Sequence, residues 1–370
     1  MPFKIIRDNI INVKADAIVN TANPFPVFSS GVDNSIYEAA GKEELLKARE
    51  EIGVISPGKA AYTEAFKLNA RYIIHTVGPV WIDGEHSEKE ILRACYRNSL
   101  ALADRLGCES IAFPLIASGT YRFPKDEALH IALSEIQHFL LTHDMNVTLV
   151  VFDRRAVALS EKLVESIEQY IDDHTAETIH QKEHGAAGSL SYNRYNRREE
   201  WEAREYRRFY ENVDLSTLYD AEEESAPCEE MQSAWVSAPS APYPKAAEKS
   251  LEDFLVDTGD SFQKRLFKLI DERGMTDVEV YKKANIDRKL FSRIRCNPEY
   301  TPKKKTAVAL SVALKLDMEE MTDLLSRAEI AFSPNSKFDR IITFCVTKGI
   351  YDIYEINAIL FKYGQPILGE

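Results

Sequence analysis

The sequence predicts an α/β unit with a largely parallel sheet and helices on both faces, then an acidic linker, then a separate all-α region. Three observations carry this. Through about residue 171, short apolar runs alternate with amphipathic stretches, the pattern of strand–helix repeats. Near Asp172 the composition turns to acid, proline, alanine and serine, which predicts a disordered linker over 172–250. From Leu251 the apolar spacing is helical throughout, so 251–370 is expected to form the all-α region.

In the first unit, 1–171, the segments ADAIVNTAN, ARYIIHTVGP, CESIAFPLI and NVTLVVFD are apolar runs of a length suited to buried strands. Between them lie VDNSIYEAAGKEELLKAREEIG, SEKEILRACYRNSLALADRLG and KDEALHIALSEIQHFLLTHD. In the second of these, Ile91, Cys95, Leu102 and Leu106 share one helical face and Gly107 supplies the stop. Within the linker, RYNRREEWEAREYRRFY suits a few helical turns, either a solvated charged helix or one docked on a neighbouring domain or RNA. In the last region, SFQKRLFKLIDERGMT is stopped by Gly274, DVEVYKKANI opens on Thr276 or Asp277, and DRKLFSRIRC closes before Pro298. TPKKKTAVALSVALKL is expected to begin with Thr301 as N-cap and Pro302 at the first helical position. DMEEMTDLLSRAEI and helices around KFDRIITFCVTKG and IYEINAILFKYG complete the chain.

A formal charge of -13 excludes a protein that coats nucleic acid with its whole surface. Residues 261–305 nevertheless hold a local excess of lysine and arginine, including Arg288, Lys289 and Arg293. The five cysteines are scattered and form no CxxC, which supports neither a disulfide framework nor a structural zinc site. No apolar run reaches the ~18 residues of a membrane span, and a cytoplasmic protein without a membrane partner is expected. His75 sits on a buried strand and is expected to be a core histidine, while His130, His138 and His143 have no metal-ligand spacing. No metal and no cofactor are expected.

The informative chemistry lies at strand ends. Asn20-Thr21-Ala22-Asn23 follows a buried strand and leads through a short loop to Gly31-Val32-Asp33. Strand SIAFPLI runs into Ala117-Ser118-Gly119-Thr120-Tyr121-Arg122 before a helix near Lys125. A small-residue loop between strand and helix exposes backbone N–H groups beside the positive helix end, which suits phosphate or pyrophosphate.

Taken together, DAIVNTAN, GVDNSIYEAAG, ARYIIHTVGPVW, FPLIASGTYRFP and VTLVVFD resemble the macrodomain family, the ADP-ribose-binding modules, over nearly all of residues 1–170. The resemblance implies a three-layer α/β/α sandwich, with ADP-ribose or an ADP-ribosylated protein or nucleotide as ligand. It implies Asn9, beside Ile10, on the adenine amine; Phe152 against adenine; and Asp153 near the proximal ribose. It implies Gly31, Val32 and Ser118, Gly119, Thr120 and Tyr121 around the diphosphate, with Tyr121 closing over it. It implies Asn23, beside Ala22, on the distal ribose, and Asp33 positioning water near the anomeric carbon.

Two of these residues also have plain structural readings: Phe152 as strand-end core, and Asp33 as a helix cap. The family's glycine run is replaced here by Phe28-Ser29-Ser30 before Gly31, after Pro24 and Pro26, and Arg122 stands where the family has glycine. Asn23 and Asp33 are the expected catalytic residues for hydrolysis of an ADP-ribosyl or O-acyl-ADP-ribose linkage. The alternative is a nucleotide sensor without turnover. Residues 251–370 resemble a repressor-type helix-turn-helix, which implies a DNA or a protein partner.

Overall fold

The computed structural model describes residues 2–152, 167 and 260–369. The linker, Asp153 and both domain boundaries drawn at 171/172 and 250/251 lie outside them. Six strands form one sheet: β1 (Phe3–Arg7), β2 (Ala17–Thr21), β3 (Ala60–Glu64), β4 (Tyr72–Thr76), β5 (Ser110–Pro114) and β6 (Asn146–Val151). Their order is β1-β6-β5-β2-β4-β3, and all pairings are parallel except β3 with β4. The helices of this unit are α1 (Val32–Ala40), α2 (Lys42–Ile52), α3 (Glu88–Arg105) and α4 (Lys125–Thr142). The stretch 32–52, continuous in the sequence pattern, is broken at Gly41 (φ 106), which ends one helix and starts the next.

Alternation along the strands sorts the core into two layers. Ile18, Ile73, Ala112 and Val150 pack against Ile36, Tyr37 and Leu45 of α1 and α2. Their neighbours Val19, Ile74, Ile111 and Leu149 pack with Leu92, Tyr96, Leu129 and Ile136 of α3 and α4 on the opposite face. Parallel strands place the loops after β1, β2, β5 and β6 at one edge of the sheet, where ligands of such sheets collect.

Among the described residues seven further helices follow: α5 (Phe262–Glu272), α6 (Asp277–Lys283), α7 (Arg288–Cys296), α8 (Lys304–Ala313), α9 (Met318–Ser326), α10 (Lys337–Thr347) and α11 (Ile353–Lys362). Thr276 caps α6 through a complete capping box with Glu279. The expected start of α8 is corrected: Lys303 is its N-cap, and Thr301 and Pro302 precede the helix. Pro302 contributes no helical turn, and the helix opens on a lysine whose side chain makes no cap bond.

These helices touch the α/β unit and continue its α3/α4-side core. The turn between α6 and α7 carries Asn285, fully buried in a left-handed conformation (φ 53) that asparagine tolerates better than most residues. Its Oδ1 accepts from Phe3 N and its Nδ2 donates to Phe3 O, both at 2.9 Å. The ring of Phe3 lies 5.0 Å from that of Tyr354 on α11. Lys282 donates to the carbonyl of Leu141 and pairs with Asp144.

Asn285→Ala leaves a buried N–H and a buried carbonyl of β1 without partners. At ~1–3 kcal/mol for each such group, it is expected to lower the unfolding midpoint of the full chain well beyond a surface substitution, as read by thermal denaturation.

Candidate functional site

The loops after β1, β2, β5 and β6 leave the same edge of the sheet and carry the expected residues, Asp153 aside. Asn9 caps a short 3-10 turn at Ile10–Asn12, its Oδ1 accepting from Ile11 N, so the carbonyl expected for adenine is shared with the turn. Ile10 is core. Phe152, at the end of β6, is 81% exposed. The core reading of Phe152 is thereby overturned: the strand stops one residue earlier and the ring stands free beside the β1 loop.

After β2, Ala22 N donates to Thr76 O, which holds the loop base against β4. Asn23 is nearly buried, and its Oδ1 accepts from Phe25 N. That bond leaves the Asn23 Nδ2 group as the donor available to a ligand. The loop then exposes Phe25, Val27 and Phe28, with Phe28 resting on the Tyr37 ring. Gly31 (φ 72, ψ -132) is the N-cap of α1, followed by Val32, and a Cβ there would meet nothing within 4 Å. The second loop leaves Gly119 and Thr120 exposed and Ser118 and Tyr121 half-buried. Ser118 Oγ is spent on Leu115 O. Arg122 takes φ 55, a conformation that glycine would hold without strain. The two loops end at α1 and α4, whose first turns aim backbone N–H groups at the same edge.

Asp33 is the best-held side chain of the site. Only 1% exposed, it accepts from Asn20 Nδ2 at 2.6 Å through Oδ1, and from Ser29 N and Ser29 Oγ through Oδ2. The capping reading is corrected, because Gly31 is the N-cap and the carboxylate turns back to the loop rather than to first-turn N–H groups of α1. Burial pushes its pKa up; the Ser29 N–H, the Asn20 amide, the Ser29 hydroxyl and Arg49 oppose that rise.

Behind Asp33 the chain of contacts continues. Asn20 Nδ2 lies 3.2 Å from His75 Nδ1, and His75 Nε2 lies 3.0 Å from Thr63 Oγ1. With an amide N–H facing Nδ1, the imidazole proton sits on Nε2 and is donated to Thr63. His75 is a core histidine, as expected, and burial with Arg49 nearby lowers its pKa to about 3. Its unfolded value is 6.5. Between these limits the unfolded chain binds the proton and the folded chain does not, so this residue makes stability fall as pH falls. The expected slope is up to about 1.4 kcal/mol per pH unit. Urea midpoints measured from pH 6.5 downward should flatten in His75→Gln.

Elsewhere, Asp83, His86 and Glu88 approach one another as metal ligands do. The Glu88 carboxylate, however, accepts from the N–H groups of Ile82, Asp83, Gly84 and His86, and so serves as a loop staple. The basic residues Arg288, Lys289 and Arg293 line a cleft of about 740 Å³ at the other end of the strands, whose lining also includes Glu109 and Asp144. Among the described residues no helix is long and apolar enough to cross a membrane.

Sequence reasoning missed two members of the site. Arg49 reads as an exposed residue of a charged helix, yet it is 1% exposed. Ser29 reads as loop filler, yet both its N–H and its hydroxyl hold Asp33.

Comparison with known proteins supplies the family. A profile described as the Macro domain matches residues 19–132. A macro domain-containing protein of Chlorobaculum tepidum is 42% identical over 147 residues, covering 40% of this chain and 84% of that protein. The O-acetyl-ADP-ribose deacetylase of Citrobacter rodentium is 40% identical over 165 residues, covering 43% of this chain and 93% of that protein. Among solved structures, the Oceanobacillus iheyensis macrodomain with ADP is 37% identical with a TM-score of 0.41, covering 45% of this chain and 92% of that one.

Proposed function

Because this chain belongs to the macrodomain family, we propose that it binds ADP-ribose along the carboxyl edge of its sheet and hydrolyses an acyl ester of that nucleotide. The observation that carries the reading is the Asp33 carboxylate, buried and triply bonded directly beneath the loop that joins it to Asn23. Relatives named O-acetyl-ADP-ribose deacetylase, at about 40% identity, support the ester as substrate.

In this reading the exposed Phe152 ring lies on adenine. Backbone N–H groups of the Gly31–Val32 and Ser118–Tyr121 loops hold the diphosphate against the ends of α1 and α4. The Asn23 Nδ2 group donates to a distal ribose hydroxyl. Water attacks the acyl carbon, giving ADP-ribose and the free acid. Asp33 is sealed from the cleft, so its charge reaches the attacking water through the Ser29 hydroxyl, which donates to it at 3.1 Å. As the water oxygen bonds to the acyl carbon it gains positive character, which a fixed negative charge there stabilises, and its proton passes to the departing ribose oxygen as the acyl C–O bond breaks.

Calorimetric titration with ADP-ribose, paired with a product assay on O-acetyl-ADP-ribose, tests both halves. Binding with no released acetate would sink the hydrolase half and leave a binding module. Absence of binding would sink both. Ser29→Ala is expected to keep ADP-ribose affinity within a few-fold and to lower turnover by ~10- to 100-fold, the low end of general acid–base contributions.

For the helical region, we propose that the basic residues of α7 serve the cleft they line together with Glu109 and Asp144. A salt-sensitive association of the full chain with duplex DNA, lost in Arg288→Ala with Lys289→Ala and Arg293→Ala, would overturn this and restore the DNA partner.

A further inference from the structure

We propose that Arg49 is a positioning residue: its guanidinium fixes the Asn23 main chain and supplies the positive charge that faces the Asp33 carboxylate. The proposal rests on the hydrolase reading above for its catalytic consequence, though not for its geometry.

Arg49 is among the largest fully buried side chains of the described protein. Its Nη1 donates to Gly53 O at 3.0 Å, closing the end of α2. Its Nη2 donates to Asn23 O at 3.2 Å, and it lies near the hydroxyl of Tyr37, one turn beyond Asp33 on α1. One planar fork thus ties the end of α2 to the start of the β2 loop, beside α1. A buried guanidinium remains charged, so burying it has to be compensated. Two carbonyls, a phenol and the nearby Asp33 do this.

The groups facing Asp33 are few. Ser29 comes from the loop, Asn20 from β2, Tyr37 from its own helix, Arg49 from α2, and His75 from β4 behind Asn20. Tyr37 is held neutral, its pKa raised to about 12 by burial and by Asp33, and His75 is neutral down to about pH 3. Arg49 is therefore the charged group in this set, and it opposes the burial that favours a protonated Asp33. The same side chain sets the height of Asn23, because Asn23 Oδ1 is already engaged by Phe25 N and the Arg49 bond fixes the carbonyl on the other side.

The test reads Asp33 directly, by carboxylate carbon NMR on the full chain with Asp33→Asn identifying its signal, alongside kcat and KM on O-acetyl-ADP-ribose. Arg49→Met keeps length without charge. Its Asp33 midpoint should rise above that of the wild type, as loss of a neighbouring positive charge requires. The matching acid limb of kcat should shift with it, and activity should recover as pH rises. Arg49→Lys keeps the charge but cannot span both carbonyls. Its Asp33 midpoint should stay near wild type while kcat falls ~10-fold at all pH with KM little changed, as expected when a catalytic group is slightly misplaced. If Arg49→Met does not fold, Arg49→Lys decides the matter, because an unaltered kcat there overturns the proposal. An Asp33 titration identical in wild type and folded Arg49→Met, with only the melting temperature lowered, would reduce Arg49 to a structural pin and overturn it as well. If the wild type proves to have no turnover, the hydrolase reading falls by itself, and the NMR midpoint still judges the Arg49–Asp33 coupling.

Discussion

Gly31→Glu is expected to abolish ADP-ribose binding, with affinity falling at least ~100-fold. Gly31 holds φ 72 and ψ -132 at the head of α1, a region closed to side-chain-bearing residues except at ~1–3 kcal/mol of strain. A Cβ would meet no protein atom, so the substitution need not disturb the fold by collision. What it removes is the close approach of backbone N–H groups to phosphate, and it adds a like charge where the diphosphate must sit. Gly31→Ala separates the two effects. It carries the strain without the charge and should retain part of the affinity. Calorimetry on the two variants checks this, and near-wild-type affinity in the glutamate variant would remove the β2 loop from the binding site.

The second large effect is expected at Asp33. Asp33→Asn is nearly isosteric and keeps an oxygen for the Asn20 amide, but its own amide then meets the Ser29 N–H. Turnover should fall ~100-fold or more, the scale seen when one preorganised electrostatic group is removed. ADP-ribose affinity should change by less than ~10-fold, because no first-turn N–H of α1 depends on this side chain. A variant that loses affinity and rate together would make Asp33 a scaffold for the loop alone. In that case Ser29→Ala should mimic it in binding as well as in rate.

Much of this was legible from residue types alone. The strand segments declare themselves by β-branched runs that end in polar residues. The start of α6, at Thr276, and the end of α7, before Pro298, follow from local chemistry. So does the gathering of Asn23, Gly31 and the 118–121 loop, because parallel strands must put their following loops at one edge.

What could not be read is what depends on depth. Arg49 is a charged residue on a helix with polar neighbours, which the sequence pattern assigns to solvent, and Asp33, though expected at the site, carries no sign of how deeply it is buried. Only the packing of α1 against α2 shows that they face one another inside the protein. Of the two readings of Phe152 only the core one fell: an aromatic after Leu149, Val150 and Val151 fits a strand core, but the strand ends just before it and the ring is exposed. Asn285 was invisible for a third reason. Its partner is the backbone of Phe3, 282 residues away, and backbone groups carry no sequence signature.

The Asn285–Phe3 pairing also bears on how this fold behaves when cut. β1 is the last strand of its sheet, and its outer side is a template to which any extended chain can add. Here an asparagine side chain, which offers one donor and one acceptor as a peptide unit does, occupies that template at Phe3. The Citrobacter relative is almost filled by the matched segment and has little chain left over to cover the same edge. Shortening this protein to its α/β unit would therefore uncover a strand edge that is occupied in the intact chain. The expected sign is concentration-dependent self-association of the fragment. A charged residue introduced at Phe3 or Ile5 to suppress it would enter positions that are buried in the intact chain, so solubility of the fragment and stability of the whole should pull against each other.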